Sequence, residues 1–212
     1  MTSSRLVAPE LTTIEVQGLT REAFLLRATL AAGATYGALS ATPYITNALA
    51  QEGGGDVDIL NFALTLEYLE AAFYTMAVKQ VKGLSADEAK LAKKLRDDED
   101  AHVDELTETI KKLGGKPAAK PKVAFAGAFA SRAAFLKTSN ALEDTGVSAY
   151  NGAAPSIKSV EVLAAAGSIV QIEARHAALI RLARGKSPAP LAFDKASEMA
   201  EVLKAVQPFI KA

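Results

Sequence analysis

The sequence predicts an all-α protein, a four-helix bundle with one long crossover connection and a short additional helix at its C-terminus. Three observations lead to this fold class. After the glycines at 53–55, apolar residues recur every three or four positions, as on helices, and strand-like alternation is nearly absent. Glycine, proline and capping signals divide the chain into four long helical segments. The connections between them are short, long and short, which is typical of a bundle with one crossover.

The first helix is expected to begin at a cap formed by Asp56 or Asp58 and to end near Val81. Residues 83–85 read Gly-Leu-Ser and predict a tight turn. Because this connection is so short, the second helix should be an antiparallel neighbour of the first.

The second helix is expected to open with a capping box. Ser85 and Glu88 have the Ser-x-x-Glu spacing in which each side chain accepts a hydrogen bond from the other residue's backbone N–H. Gly114 and Gly115 end this helix. The next segment, 116–123, is rich in proline, lysine and alanine, and we predict that it is the long crossover to the third helix.

The third helix is predicted over about 128–150 and is ended by the Asn-Gly pair at 151–152. Pro-Ser at 155–156 leads into the fourth helix, which Gly185 closes. Two prolines then mark a linker before a short amphipathic helix at about 194–206. Residues 51–212 would thus form the bundle domain.

The composition of the 212-residue chain limits the kinds of partner and cofactor. Lys and Arg together number 24, as do Asp and Glu, so no charge excess favours nucleic acid or an anionic membrane. The chain has no cysteine, which excludes disulfides, iron–sulfur clusters and cysteine-based zinc sites.

Residues 1–50 have the features of an export leader. The apolar run at 28–41 is too short for a membrane span, and Ala-Leu-Ala at 48–50 has the form of a signal-peptidase site. Residues 20–25 resemble a twin-arginine export motif, although Glu22 stands where the second arginine belongs. We therefore expect a periplasmic, cell-envelope or extracellular protein without a membrane span in its mature part. The alternative is an N-terminal helix that stays in a cytoplasmic protein.

The two histidines of the chain each follow a glutamate by three residues, as Glu99-x-x-His102 and Glu173-x-x-His176. This spacing places a carboxylate and an imidazole on the same face of a helix, within reach of one another. A single pair of this kind is usually no more than two solvated side chains. Two such pairs that include every histidine point to a metal site.

A second pattern accompanies the first. Glu67 is followed by Tyr74 after seven residues, and Glu143 is followed by Tyr150 after the same interval. The chain therefore reads Glu-x6-Tyr, Glu-x-x-His and then the same again, which indicates an internal duplication of a metal site.

The four glutamates interrupt apolar rows that should face the bundle core. On the second helix this row consists of Leu91, Leu95, Glu99, His102, Val103, Leu106, Ile110 and Leu113. A buried carboxylate without a partner is costly. Two divalent cations would balance four carboxylates, and mixed Glu and His ligation suits iron or manganese, and zinc less specifically. Tyr74 and Tyr150 could hydrogen-bond the ligand carboxylates.

Counting from the first turn supports the convergence of the site. Glu67 lies 16 residues before Gly83 and Glu99 lies 14 residues after Ser85, so both should lie roughly 21–24 Å from the turn. Glu143 and Glu173 fit less closely, because their distances from the turn that joins their helices differ by roughly 8 Å. The loop at 152–158 would have to span this difference.

Other acidic residues are expected at the surface. We expect Glu70, Glu105 and Asp144 to be solvated, although Glu70 competes with Glu67 as the ligand on the first helix. Three of the four members of the acidic run at 97–100, all but Glu99, are expected to form a solvated face.

The chain also contains three distinctive segments: LNFALTLEYLE at 60–70, GVSAYNGAAP at 146–155 and IEARHAA at 172–178. They resemble the ferritin-like di-metal carboxylate superfamily and, within it, the group that includes plant and bacterial desiccation-related proteins. The resemblance implies a ferritin-like four-helix bundle. It also implies that Glu67 with His102 holds one metal and Glu143 with His176 the other, while Glu99 and Glu173 bridge both.

Three functions are compatible with this resemblance. The first is a redox activity on O2, peroxide or Fe(II), of the catalase, peroxidase or ferroxidase kind, with no catalytic residue identified. The second is a non-catalytic bundle that metals staple, with a protective or binding role under drying or stress. The third, an iron-storage cage, is disfavoured because no dense acidic patch suggests a mineral-nucleating surface. The expected partners are a small-molecule oxidant or a metal ion, and a homodimer is one expected assembly. A particle of monomer or dimer size would exclude the cage.

Overall fold

The computed structural model describes residues 55–211, so the predicted leader at 1–50 lies outside the described residues. Four long helices and one short helix make up most of this range. They are α1 (Asp56–Gln80), α2 (Ala86–Lys112), α3 (Arg132–Ala153), α4 (Val160–Ala183) and α5 (Met199–Val206). No strand forms between residues 55 and 211, where the sole β-type pairing is an isolated bridge of Val123 with Ile210. The predicted all-α class with four long helices and a short C-terminal helix is confirmed.

The helices form two closely packed pairs, α1 with α2 and α3 with α4. In addition, α1 contacts α3, α2 contacts α4, and α5 lies against α3. The turn between α1 and α2 is held as predicted, because the Ser85 hydroxyl accepts from the Glu88 N–H and the Glu88 carboxylate accepts from the Ser85 N–H. This capping box fixes where α2 begins.

The side chain of Asp56 does not cap α1, contrary to the sequence prediction. Gly55 occupies the cap position, without a side-chain hydrogen bond, and Asp58 lies in the first turn. The Asp56 carboxylate instead accepts hydrogen bonds from the backbone N–H groups of Lys158 and Ser159, at 2.8 and 2.7 Å. It therefore joins the start of α1 to the loop that precedes α4.

Three helix boundaries differ from those predicted. The third helix starts at Arg132, because the Ser131 hydroxyl caps it by accepting from the N–H of Ala134 at 3.1 Å. It continues to Ala153 and then into a 3-10 turn, Ala154–Ser156. The short helix starts at Met199 rather than near 194, which is the third difference. The fourth helix begins after the Ser159 cap.

The apolar core consists of two clusters at different levels of the bundle. One is built around Phe73, Phe135 and Leu95 and includes residues of α5. The other contains Leu64 and Ile110 together with the first turns of α4. The buried glutamates and histidines do not belong to either cluster. None of the helices between residues 55 and 211 is both long and apolar enough to cross a membrane.

Candidate metal centre

The six side chains predicted as ligands are all buried in the interior of the bundle. Each of the four helices contributes at least one of them. Four are less than 2% exposed, and the two histidines are 8% and 2% exposed. They are Glu67 on α1, Glu99 and His102 on α2, Glu143 on α3, and Glu173 and His176 on α4.

The imidazole of His102 points its Nδ1 atom at three carboxylates. The atom lies 3.2 Å from Glu67 Oε2, 3.1 Å from Glu99 Oε2 and 3.0 Å from Glu173 Oε1. A single nitrogen cannot satisfy three carboxylates, since it carries at most one hydrogen. A cation at the centre of this group could take all four donor atoms as ligands.

The imidazole of His176 has the same relation to the other half of the site. Its Nδ1 atom lies 3.0 Å from Glu99 Oε1, 3.5 Å from Glu143 Oε2 and 3.9 Å from Glu173 Oε1. The two imidazole rings are 6.1 Å apart, centroid to centroid, and are inclined by 30°. The duplication seen along the chain thus appears as two neighbouring donor groups.

The donor atoms fall into two sets of four, and within each set they lie within 4.8 Å of one another. One set is Glu67, Glu99, His102 and Glu173, and the other is Glu99, Glu143, Glu173 and His176. Both sets contain Glu99 and Glu173. A buried cluster with two shared carboxylates is consistent with a site for two metal ions.

The hydrogen bonding of the cluster fits a metal as well. Five of its donor atoms are buried and have no hydrogen-bond partner, although such atoms in folded proteins are nearly always satisfied. They are Glu99 Oε1, Glu143 Oε2, both carboxylate oxygens of Glu173, and His176 Nδ1. Metal ions would satisfy oxygen and nitrogen donors of this kind. The residues present therefore fit the metal pair that the sequence implied, without identifying the metal.

Both predicted tyrosines reach a glutamate of the site across the bundle. Tyr150 on α3 donates a hydrogen bond of 2.6 Å to Glu67 Oε1 on α1. Tyr74 on α1 donates to Glu143 Oε1 on α3, and the hydroxyl of Ser139 also lies within hydrogen-bond distance of Tyr74. Each tyrosine thus holds the glutamate that comes from the other half of the duplication.

Glu70 is buried and not solvated, contrary to the sequence prediction. It is 2% exposed, and its Oε1 atom has no hydrogen-bond partner. It faces Gly146, where a Cβ atom would lie 3.4 Å from Glu70 Oε1 and 3.3 Å from Glu173 Oε2. The missing side chain at Gly146 leaves the space that these two carboxylates occupy. Glu70 thus adds a fifth buried carboxylate beside the two donor sets.

Asp98 is partly buried, whereas the sequence predicted a solvated side chain. Its Oδ2 atom lies 3.0 Å from Nε2 of His176, on the side of the ring that faces away from the other glutamates. Lys94 pairs with the same carboxylate from the preceding turn of α2. Burial opposes ionisation of Asp98, but the hydrogen bonds from Lys94 and His176 hold its pKa below the ordinary value.

The remaining predicted surface residues are exposed, as expected. Glu105 is solvated, and Asp144 forms an ion pair with Arg181 at the surface. The inward row on α2 is correct as far as Ile110, but Leu113 at its end is 44% exposed. The row ends there because α2 itself ends at Lys112.

The histidines of this acidic cluster hold protons strongly. Burial by itself would lower the pKa of both imidazoles, but the surrounding carboxylates reverse that effect. The adjacent carboxylates, Glu173 foremost, raise the pKa of His102 to about 12. In the same way the nearby carboxylates, Glu143 foremost and then Glu99, raise the pKa of His176 to about 11. Without a metal ion, both rings are therefore cationic at neutral pH.

Several carboxyl groups of the cluster also hold protons more strongly than usual. Burial is the largest cause, and repulsion among the glutamates adds to it. The pKa of Glu99 is raised to about 7, and those of Glu173 and Glu70 are raised well above their ordinary value. Divalent cations would replace these protons as the balancing positive charge.

The comparison with known families agrees with the geometry. A model of the ferritin-like domain family matches residues 55–186, which include all four long helices and all six predicted ligands. No curated protein matches the chain at a significant level. Four helices that each contribute a glutamate, two of them through Glu-x-x-His, are the known arrangement of ferritin-like carboxylate bundles. The chain belongs to the ferritin-like domain family.

Proposed function

We propose that this protein binds two iron or two manganese ions in the bundle and uses them for a redox reaction of O2, peroxide or Fe(II). The observation that carries the proposal is the pair of four-residue donor sets that share Glu99 and Glu173. Shared carboxylates hold two metals close together, as a two-electron reaction requires. Iron and manganese fit because the ligands are carboxylates and imidazoles and the chain has no cysteine.

The geometry supports one particular assignment of ligands. Glu67 and His102 would hold one ion, since Nδ1 of His102 lies beside Glu67. Glu143 and His176 would hold the other. The two glutamates common to both sets would bridge the ions, and four ligand carboxylates would balance the charge of two divalent cations.

When bound, the metal pair supplies the change of oxidation state that no side chain of the cluster can provide. The chain's own residues prepare the site for it. Tyr74 and Tyr150 fix the orientation of Glu143 and Glu67 through hydrogen bonds. The apolar clusters on both sides limit the access of water. Burial, and then the charge of the adjacent Glu173, raise the pKa of Glu70 well above its ordinary value.

The proposal is tested first by metal content and then by activity. Protein purified without chelator, and protein loaded anaerobically with Fe(II) or Mn(II), should contain about two ions per chain by plasma mass spectrometry. Loaded protein should then consume hydrogen peroxide, or oxidise Fe(II), faster than buffer. A matched control is Glu105→Gln, which removes an exposed carboxylate of α2 and should leave both results unchanged.

Two outcomes would contradict the proposal. Metal content that stays near zero after loading would remove the metal site altogether. Two bound ions without turnover of peroxide, O2 or Fe(II) would leave the site but exclude the redox activity.

The second candidate is a bundle that metals stabilise without catalysis, with a protective role under drying or stress. The enclosure of the site favours it. A cleft of about 440 Å³ between α3, α4, α5 and the preceding linker is lined by none of the six ligands. In this case metal should raise the melting temperature strongly and no turnover should appear.

A further inference from the structure

We infer, on the basis of the proposed pair of metals, that Asp98 is a positioning residue for His176. Through this role, Asp98 makes the Glu143/His176 position bind its metal ion more tightly than the Glu67/His102 position. The duplication would otherwise give two equivalent positions. The inference depends on one contact of His176 that has no counterpart at His102 among residues 55–211.

The two halves of the site match in most respects. Each histidine directs Nδ1 inward toward carboxylates. The terminal glutamate of each half, Glu67 or Glu143, accepts a hydrogen bond from a tyrosine on the opposite helix. The bridging carboxylates are common to both. Because both positions have these features, the features by themselves do not single out one position as the tighter.

The outward sides of the two imidazoles differ. Nε2 of His176 donates to Asp98 over 3.0 Å, and Lys94 holds the Asp98 carboxylate in turn. Among residues 55–211, no side chain forms such a bond with Nε2 of His102. The His102 side chain is also the more exposed of the two, at 10% against 3%.

The sequence explains the difference. Asp98 directly precedes Glu99 in the first copy of the motif, and the corresponding residue of the second copy, before Glu173, is Ile172. An isoleucine side chain cannot accept a hydrogen bond. The repeat therefore supplies a carboxylate behind only one histidine.

A carboxylate behind a metal-binding histidine has known physical consequences. It fixes the orientation of the ring, selects the tautomer whose other nitrogen is free for the metal, and makes that nitrogen more basic. Loss of such a partner typically costs about 10–100-fold in metal affinity. We expect the Glu143/His176 position to fill first and the Glu67/His102 position to exchange its ion more readily.

The first experiment is a Mn(II) titration of the full chain, in which the electron paramagnetic resonance signal of free Mn(II) counts the bound ions. The wild type should bind two ions in two steps. Asp98→Asn, which keeps the shape of the side chain, should weaken the first step about 10–100-fold. Asp100→Asn is the matched control, because it removes an exposed charge two residues away and should change neither step.

A double-variant comparison assigns the effect to one histidine. In a His102→Ala background, Asp98→Asn should weaken the remaining site by the same factor. In a His176→Ala background it should have no effect. An equal effect in both backgrounds would show that Asp98 acts only as a distant charge and would overturn the inference, as would two identical binding steps in the wild type.

A measurement on metal-free protein keeps this inference separate from the proposed function. The chain has only two histidines, so nuclear magnetic resonance can assign both rings. The Nε2 proton of His176 should resonate far downfield and exchange slowly, and Asp98→Asn should shift it while the His102 signals stay in place. If the wild type binds neither Mn(II) nor Fe(II) but shows this signal, the proposed function fails and the contact stands. Absence of the signal would overturn the contact itself.

Discussion

Each half of the candidate site depends on a few side chains with distinct tasks. The carboxylates of Glu99 and Glu173 belong to both donor sets, whereas each imidazole belongs to one. Tyr74 and Tyr150 connect the halves through hydrogen bonds across the bundle. The consequences of a substitution should therefore depend on whether the residue is shared between the sets.

Removal of a shared carboxylate should disrupt both metal positions. We expect Glu99→Ala and Glu173→Ala each to lower metal content to well below one ion per chain, because both donor sets lose a ligand. His102→Ala should leave about one ion per chain. Plasma mass spectrometry of proteins loaded with metal in parallel gives the comparison, and equal metal content in all three variants would contradict the shared role.

Removal of a tyrosine hydroxyl should weaken one position only. In Tyr150→Phe, Glu67 loses the hydrogen bond of 2.6 Å that orients it. A lost hydrogen bond to a charged group costs about 1.5–3 kcal/mol, which is roughly 10–150-fold in affinity. A Mn(II) titration should show this weakening in the Glu67/His102 step. The control is Tyr68→Phe, which changes a tyrosine on α1 outside the buried set, and a similar loss in this control would refute the assignment.

At the scale of the helices, α1 organises both long-range connections of the fold. Its Asn61 side chain donates to the Lys116 carbonyl at 3.1 Å and accepts from the Ala118 N–H at 2.7 Å, which fixes the crossover. Its first residue, Asp56, fixes the loop before α4. Because α1 also contacts both α2 and α3, its buried surface is broad, and this explains why Glu70 is buried together with Glu67.

Two glycine substitutions test how closely the linker before α5 packs on α3. At Gly152 an added Cβ would lie 2.0 Å from the Ser197 carbonyl oxygen. Gly152→Ala should therefore destabilise the fold by about 1–3 kcal/mol. Gly167→Ala in α4, where the Cβ would meet no atom within 4 Å, should stabilise it by about 0.4–1 kcal/mol.

Thermal unfolding of the two variants measures the difference. A change of about 1 kcal/mol shifts the melting temperature of a domain of this size by about 2–4 °C. Opposite signs are expected, with Gly152→Ala melting lower than the wild type. If both variants melted higher, the close approach of Ser197 to α3 would be ruled out.

At the scale of the whole molecule, the bundle encloses a layer of charge between two apolar clusters. Five buried carboxyl groups and two histidines lie there, in the place of apolar core. Such a layer is costly without balancing charge. Metal ions that bind the folded chain should therefore stabilise it, since binding to the folded state alone lowers its free energy relative to the unfolded state.

The metal-free protein should lose stability as the pH rises. The pKa of Glu99 is about 7 in the folded chain against an ordinary 4.5, so between these values the folded state binds more protons than the unfolded state, and stability falls. The histidines, with pKa values of about 12 and 11 against 6.5, contribute stability that is complete below pH 6.5 and is lost progressively above it. The raised pKa values of Glu99 and of the two histidines therefore both make the folded protein less stable as the pH rises.

Melting curves from pH 5 to pH 8 test this expectation. The melting temperature of the metal-free protein should fall across the range by several degrees. The metal-loaded protein should hold its melting temperature, because metal replaces the protons of these ligands and binds more tightly as the pH rises. Parallel curves for the two forms would contradict the proposed exchange of protons for metal.

The sequence alone determined the helices, most of their ends, and the six residues that meet in the core. These properties depend on local rules: the 3.6-residue period of a helix, capping by Ser85, and the Glu-x-x-His and Glu-x6-Tyr spacings. The tertiary structure decided the rest. The burial of Glu70, the contact of Asp98 with His176, and the loop anchored by Asp56 depend on which neighbouring helix lies against each face. Spacing along one helix cannot specify this, because the rotation and separation of packed helices follow from the interlocking of side chains on all of them.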